Sequence, residues 1–151
     1  MNKKNEMLEQ LQRYYALWKE SNAIYEEWAK KQGLSSNGLL ILYSLYDDSE
    51  GCTQKTISQK WCIPKQTVNT ILKDFAKRGF IEMLSTQEDK RNKAIQLTLT
   101  GRLFAGNIME KLQSKELCVM EKIGLERITD MNDNLALFIQ LFLEGGYPEN
   151  E

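Results

Sequence analysis

Apolar residues recur every three or four positions along most of the chain, which is the spacing of one face of an α-helix. The pattern predicts a long amphipathic helix over residues 4–31 and a second helix whose N-cap is supplied by Leu34-Ser35-Ser36. Gly33 separates these two helices. The helical period returns over residues 101–145, where we expect two further helices.

Two short helices and a pair of strands are predicted between the long helices. The first short helix covers residues 53–61, and the second covers residues 64–78, where proline is accepted in the first turn. β-Prone segments follow at residues 80–85 and 94–98, with a polar connection between them. Two short helices joined by a tight turn and followed by a hairpin form a winged helix-turn-helix.

The expected architecture is a single domain over residues 1–151, mainly α-helical with a small β-hairpin wing. A winged helix-turn-helix over residues 34–100 is flanked by helical regions at 4–31 and 101–145, which we expect to serve in dimerisation. Their apolar stripes are too large for a soluble monomer, so the sequence predicts a homodimer. The stripes include Leu11, Trp18, Phe138, Leu141 and Phe142.

The second short helix has the two faces that recognition of DNA requires. Val68, Leu72 and Phe75 fall on an apolar face together with Ile71. Asparagine and glutamine can pair with adenine, lysine can reach guanine or phosphate, and threonine can contact a thymine methyl group or a phosphate. An ordinary surface helix would show the same periodicity, so this helix alone does not decide the function. Its polar face carries Lys65, Gln66, Asn69, Thr70 and Lys73.

Charge is distributed unevenly along the chain. The net charge of −1 argues at first against a nucleic-acid partner, because phosphate binding needs a basic surface. Residues 53–93, however, contain nine basic and four acidic residues, a net charge of +5. A solvated surface could show this imbalance by chance. Together with the helix-turn-helix pattern, it makes double-stranded DNA the expected partner.

Several other classes of function are disfavoured. The chain has no histidine, which excludes His-containing zinc sites and the common His-based catalytic arrangements. No phosphate-binding glycine loop or nucleophile elbow is present, so we expect neither an enzyme nor a cofactor nor a metal site. The start of the chain is polar, and no run approaches the ~18 apolar residues of a membrane span. Three cysteines, an odd number, suggest reduced thiols and a cytoplasmic protein without membrane association.

Several motifs resemble those of the MarR family of bacterial transcriptional regulators. The wing carries the most specific match, a D-x-R sequence followed by L-T-x-x-G. The other matches lie at the starts of the predicted helices and at the entry to the wing. The matching segments are Leu34-Ser35, Thr53-Gln54, Lys65-Gln66-Thr67-Val68, Lys77 to Ile81, Asp89-Lys90-Arg91, and Leu97-Thr98 with Gly101.

The resemblance implies a dimer whose two winged modules enter successive major grooves. It also implies that Arg91 reaches a minor groove and that Asp89 holds it in place, although a local ion pair is the alternative for these two residues. Many family members have glutamate where this chain has Thr56, so we expect an incomplete capping box and a fraying third helix. The predicted DNA-binding residues are Thr53, Gln54, Lys65, Gln66, Thr67, Asn69, Thr70, Lys73, Asp89, Lys90, Arg91 and Lys93.

The resemblance also suggests control by a small aromatic or anionic effector. Tyr14, Trp18 and Tyr43 are the candidate effector-binding residues, and packing in the core or the dimer interface is the alternative for them. Cys62 is the candidate redox sensor, because nearby lysines could lower the pKa of its thiol; a buried, inert thiol is the alternative.

The predicted function is therefore sequence-specific transcriptional regulation, as a repressor that binds a pseudo-palindromic operator and is released by an effector or by oxidation. A winged helix that binds protein or RNA is the rival hypothesis. Such an adaptor has no need for Arg91 and Lys93 on the wing together with Lys65 and Lys73 on the helix.

Overall fold

The computed structural model describes residues 2–48, 52–86 and 89–145, and only the backbone for residues 85, 86 and 89–92. The described part contains six helices and one antiparallel pair of strands, which confirms the prediction of a mainly α-helical fold with a small hairpin. The chain divides into two compact units, one ending at Ile108 and the other beginning at Met109. The elements are α1 (Lys3–Lys31), α2 (Ser36–Asp47), α3 (Gln54–Trp61), α4 (Lys65–Lys77), β1 (Ile81–Thr86), β2 (Asp89–Leu97), α5 (Leu99–Ile123) and α6 (Leu125–Leu143).

The turn between α1 and α2 is fixed by a glycine and a serine cap, as the sequence predicts. Gly33 has a φ of +79°, a left-handed conformation that glycine adopts without steric cost. The Oγ of Ser35 accepts a hydrogen bond from the Gly38 amide at 3.0 Å. That amide would otherwise lack a partner in the first turn of α2. Local chemistry therefore determines where the second helix begins.

The capping box of α3 is complete, and the expectation of an incomplete one was wrong. The backbone amide of Thr56 donates to the Oγ1 of Thr53 at 3.2 Å, and the amide of Thr53 donates to the Oγ1 of Thr56 at 3.0 Å. The threonine hydroxyl thus accepts the hydrogen bond that a glutamate carboxylate would accept at this position. Both amides are satisfied without an acidic residue.

The two strands form a hairpin in which β2 is longer than the sequence predicts. Ile81 lies opposite Leu97, and Met83 lies opposite Ile95. β2 begins at Asp89 rather than at the predicted Ala94, so residues 89–93 belong to the strand. Both faces of a two-stranded ribbon can meet solvent, and a run of polar side chains therefore does not interrupt backbone pairing.

Cys52 forms an isolated antiparallel bridge with Ile95 beside the hairpin. Its amide donates to the carbonyl of Ile95 at 3.3 Å, and the amide of Ile95 donates back to the carbonyl of Cys52 at 2.8 Å. This bridge ties the segment before α3 to the base of the wing. A single bridged residue has no periodicity, so the hydrophobic pattern contains no sign of it.

The core of the first unit is formed by apolar side chains from α2, α3, α4, β2 and the start of α5. Burying one such side chain completely stabilises a fold by about 1.5–3 kcal/mol. These contacts hold α3, α4 and the hairpin in one block. The large side chains that are almost completely buried in this unit are Ile41, Leu42, Leu45, Ile57, Val68, Leu72, Phe75, Ile95 and Ile108.

The second unit consists of the remainder of α5 and of α6. Gly124 separates the two helices with a φ of +100°, which again favours glycine. Ile128 is buried in α6, whereas Leu135 and Phe142 are exposed. None of the described helices has both the length and the apolar character that a membrane span requires.

Candidate nucleic-acid interface

The turn between α3 and α4 is short and held by side chains of α3. The hydroxyl of Ser58 donates to the carbonyl of Ile63 at 2.6 Å, and the amide of Ile63 donates to the carbonyl of Ser58 at 3.1 Å. Cys62 closes α3 in the left-handed region, with a φ of 53°. Pro64 then stands at the N-cap of α4, one position before the first helical turn in which it was predicted. The contribution of Ser58 was not predicted.

Gln54 fastens α3 to the beginning of α4. Its Nε2 donates to the carbonyl of Lys65 at 3.1 Å, across eleven positions of sequence. The hydroxyl of Thr53 is likewise occupied at the cap of α3. Both residues were predicted to contact DNA, and the structure gives both a role in fixing the helix-turn-helix.

α4 has the two faces that its sequence predicts. Val68, Leu72 and Phe75 are at most 1% exposed, and Ile71 is half-buried. The opposite face meets solvent and carries both positive charge and hydrogen-bonding groups. The structure therefore brings the predicted polar residues of α4 together on one accessible surface. Of these, Lys65, Gln66, Thr70 and Lys73 are exposed, and Thr67 and Asn69 are half-buried.

The base of the wing is fixed by Thr98. Its amide donates to the carbonyl of Phe80 at 2.9 Å, and its hydroxyl donates to the carbonyl of Gly79 at 2.6 Å. The same hydroxyl accepts from the amide of Gly101 at 3.0 Å. A Cβ on Gly101 would lie 1.9 Å from the Phe80 carbonyl oxygen. The Leu-Thr-x-x-Gly sequence thus joins α4, the wing and α5 at a point where no side chain fits.

The wing residues that were predicted to contact DNA belong to strand β2. Lys93 is exposed on β2. The backbones of Asp89, Lys90 and Arg91 belong to β2, but their side chains lie outside the described residues. Their predicted contacts with DNA therefore stay predictions.

Comparison with known proteins identifies the family. A family model described as MarR family matches residues 32–92, from the α1–α2 turn into β2. NMB1585, a MarR family regulator from Neisseria meningitidis, has a structure similar to that of this chain, with a TM-score of 0.76 and 30% sequence identity. The similarity covers 95% of this chain and 96% of that one. The chain belongs to the MarR family.

One further relative agrees with this assignment, and a second solved structure has the same fold. The HTH-type transcriptional repressor YetL of Bacillus subtilis is 27% identical over 128 residues, which are 80% of this chain and 77% of YetL. The structure of a MepR–DNA complex from S. aureus is 20% identical, with a TM-score of 0.74, and covers 84% of this chain and 96% of that one. As a member of the MarR family, the protein is a DNA-binding transcription regulator and not an enzyme.

The three predicted effector-binding residues lie in different surroundings in this MarR family chain. Tyr14 and Trp18 are 38% and 56% exposed on α1. Tyr43 on α2 is half-buried, and its ring lies 6.0 Å from that of Trp61. Lys60 places its Nζ 5.2 Å from the Trp61 ring and 5.9 Å from the Tyr43 ring. Tyr43 thus belongs to a packed aromatic and cationic cluster.

An open cavity of about 300 Å³ lies beside this cluster, between the end of α2 and α3. None of the three predicted effector-binding residues lines it. Among the described residues, no group of three or more cysteine, aspartate and glutamate side chains is placed to hold a metal ion. The cavity is lined by Ser44, Asp47, Asp48, Cys52, Thr56, Ile57 and Lys60.

The three thiols differ in exposure. Cys62 is exposed, so the burial expected under the alternative for this position was wrong. The helix ends at Cys62 and leaves its side chain at the surface of the turn. The pKa of the Cys52 thiol is raised from 9.0 to about 11, chiefly by burial and also by the carboxylate of Asp48, while Lys60 acts in the opposite direction. Cys118 is exposed in the second unit.

Proposed function

We propose that this protein is a sequence-specific transcriptional repressor that binds a pseudo-palindromic operator as a homodimer. The observation that carries the proposal is α4, whose apolar face is buried while Lys65, Gln66 and Lys73 are exposed on the other face. A helix supported from behind in this way fits a major groove about 12 Å wide. The name of the relative YetL supports the repressor role.

Different side chains of the interface suit different DNA contacts. Gln66 and Asn69 carry amides that can pair with an adenine edge, and Lys65 and Lys73 can neutralise phosphates. Arg91 on the wing would enter a narrow minor groove, where the negative potential is strongest. The full proposed interface consists of Thr53, Gln54, Lys65, Gln66, Thr67, Asn69, Thr70, Lys73, Asp89, Lys90, Arg91 and Lys93.

Exposed apolar side chains before and after the DNA-binding region in the sequence support the homodimer. α1 exposes Leu17 and Trp18, and α6 exposes Leu141 and Phe142. Large exposed apolar surfaces are covered by a partner in most soluble proteins. We assign dimerisation to residues 4–31 and 101–145 and DNA binding to residues 34–100, all within one domain. A two-fold dimer then requires an inverted repeat in its operator.

Release from DNA is proposed to follow binding of a small aromatic or anionic effector at Tyr14, Trp18 and Tyr43, or oxidation of Cys62. The exposure of Cys62 beside the start of α4 supports the second route. Benzoate, as a representative aromatic anion, and hydrogen peroxide are the probes. Each should lower operator affinity; Tyr43→Ala should abolish the response to benzoate, and Cys62→Ser the response to peroxide. An unchanged affinity with either probe would reject that route.

The operator is to be selected from a pool of randomised DNA duplexes with the purified protein. We expect enrichment of one inverted repeat. Transcription from a promoter that contains this repeat should fall when the protein is added. Enrichment of unrelated sequences would reject sequence-specific binding, and increased transcription would reject the repressor role.

Two classes of variant test the roles of α4 and the wing, using the selected operator and a scrambled duplex at one salt concentration. Gln66→Ala or Asn69→Ala should reduce the free energy of binding to the operator by about 1–3 kcal/mol and change binding to the scrambled duplex little. Arg91→Ala should weaken binding both to the operator and to other A·T-rich duplexes. Gln59→Ala, an exposed change on α3, is the control. If Arg91→Ala changes neither affinity, the wing does not contact DNA.

A further inference from the structure

Arg78, which directly follows α4, contacts three other segments of the first unit. Its Nη1 donates to the carbonyl of Gly33 in the α1–α2 turn at 3.2 Å. The same nitrogen lies 3.6 Å from the Oδ2 of Asp74, one turn earlier in α4. One guanidinium therefore links the end of α4 to the turn that precedes α2.

The guanidinium also lies against two stacked aromatic rings. Its Cζ is 4.8 Å from the ring centroid of Phe80, at the entry to the wing, and 5.3 Å from that of Phe104 on α5. The rings of Phe80 and Phe104 are 4.3 Å apart with an interplanar angle of 13°. Phe75, buried in α4, meets Phe80 edge-on at 6.3 Å. We call Arg78, Gly33, Asp74, Phe80 and Phe104 the arginine junction.

Only arginine can make all these contacts at once. A guanidinium is planar, so it can lie on an aromatic face while its N–H groups donate in the plane. A lysine ammonium keeps the charge but lacks both the plane and the fork of donors. The Arg78 side chain is 32% exposed, which leaves most of it in contact with protein. Its geometry indicates a structural role in addition to its charge.

We propose that Arg78 is a positioning residue that fixes the orientation of α4 relative to the α1–α2 turn and the start of α5, and that operator recognition depends on this orientation. The inference rests on the proposed reading of DNA by α4. Base-edge contacts carry the sequence information and need a defined helix orientation, whereas phosphate contacts carry no sequence information. In a dimer, a change of orientation also alters the match to both half-sites. Loss of the junction should therefore weaken specific binding and leave non-specific binding unchanged.

The test compares Arg78→Lys and Phe104→Leu with the wild type on the selected operator and on a scrambled duplex. Arg78→Lys keeps the charge and removes the planar contacts, and Phe104→Leu removes one ring and keeps the arginine. Both should lower operator affinity about threefold to thirtyfold, without changing the scrambled-duplex affinity or its salt dependence. Lys77→Arg is the control, because it alters the neighbouring cation outside the junction. Circular dichroism and light scattering establish that fold and oligomeric state are retained.

The possible outcomes separate this inference from the proposed function. If the wild type does not distinguish the two duplexes, sequence-specific binding itself fails, and the inference fails with it. If the wild type distinguishes them and Arg78→Lys does so equally well, the positioning role alone is overturned. It is also overturned if Arg78→Gln weakens binding to both duplexes equally and reduces the slope of log affinity against log salt by the amount of about one phosphate contact. Arg78 would then bind phosphate directly. An Arg78 Nε–H resonance whose ring-induced shift is smaller in Phe104→Leu than in the wild type would support the junction without DNA, and an unchanged shift would contradict it.

Discussion

α4 and α6 are both amphipathic helices, but α4 buries its apolar face, whereas most of the apolar side chains of α6 are exposed. Val68 and Leu72 of α4 are at most 1% exposed. In α6, Leu135 is 45% exposed and Phe142 is 76% exposed, although these side chains are as apolar as those of Val68 and Leu72. Amphipathic periodicity therefore shows that a face is suited to burial without showing what covers it. The apolar face of α4 is covered by residues of the same chain, whereas α6 presents an apolar surface that the proposed dimer would cover.

The largest expected effect follows from placing charge on the exposed face of α6. Leu135 and Phe142 lie two helical turns apart on one side, so Leu135→Glu combined with Phe142→Glu puts two carboxylates into the proposed interface. A buried charge without a partner costs roughly 3–5 kcal/mol, which predicts a dimer at least about a hundredfold weaker. Light scattering at micromolar concentration should then give the mass of a monomer.

Gln140→Glu is the matched control for this experiment. It adds a carboxylate to an exposed position of the same helix, about 150° around the axis from Leu135 and Phe142. This variant should remain a dimer and keep its operator affinity. A double variant that stays dimeric would show that the apolar face of α6 is not the interface.

The second prediction concerns the region that supports α4. Gly101→Ala would place a Cβ 1.9 Å from the carbonyl oxygen of Phe80, which is backbone and cannot move aside without shifting the wing. We expect a loss of about 3 kcal/mol or more in the free energy of unfolding, measured with urea. Gly106→Ala is the control, because its Cβ would meet Tyr46 at an ordinary 3.6 Å. That change should be neutral or stabilise α5 by up to about 1 kcal/mol. Equal effects of the two changes would contradict the close approach at Gly101.

A smaller effect, of opposite sign, is expected at the turn before α4. Cys62 has a φ of 53°, and a left-handed conformation costs a residue with a Cβ roughly 1–2 kcal/mol. Cys62→Gly should therefore stabilise the fold by about 1 kcal/mol in thermal or urea unfolding. Cys62→Ala keeps the Cβ and should leave stability nearly unchanged. If glycine and alanine had the same effect, strain at this position would not be the cause.

Features that depend on neighbouring residues could be predicted from the sequence. The two faces of α4, the cap at Ser35 and the turn at Gly33 each follow from a few adjacent residues, and the structure has all of them. The predicted start of β2 was wrong because the polar residues before Ala94 were taken to interrupt strand pairing. The predicted cap of α3 was wrong because a threonine hydroxyl was not considered as a substitute for a glutamate carboxylate.

Features that depend on distant residues could not be predicted in this way. Arg78 and Gly33 are 45 positions apart, and no periodic pattern connects an arginine to a carbonyl at that distance. The hydrogen bond from Gln54 to the Lys65 carbonyl also joins two different helices. The sequence therefore predicted only a DNA contact for Gln54 and not this structural role. Contacts between elements are decided by packing of the whole unit, and a local pattern carries little information about them.

A pH-dependent effect distinguishes a thiol of the DNA-binding region from one of the second unit. The Cys52 thiol has its pKa raised to about 11, mainly by burial, whereas Cys118 is exposed. Below pH 9 Cys52 stays protonated in both folded and unfolded chains, so its full contribution to stability is present. Between pH 9 and 11 the unfolded chain releases the proton and the folded chain retains it, so stability falls as pH rises. Urea unfolding should therefore show a steeper loss over this range in the wild type than in Cys52→Ala, whereas Cys118→Ala should follow the wild type. Parallel curves for wild type and Cys52→Ala would mean that the folded protein does not perturb the Cys52 thiol.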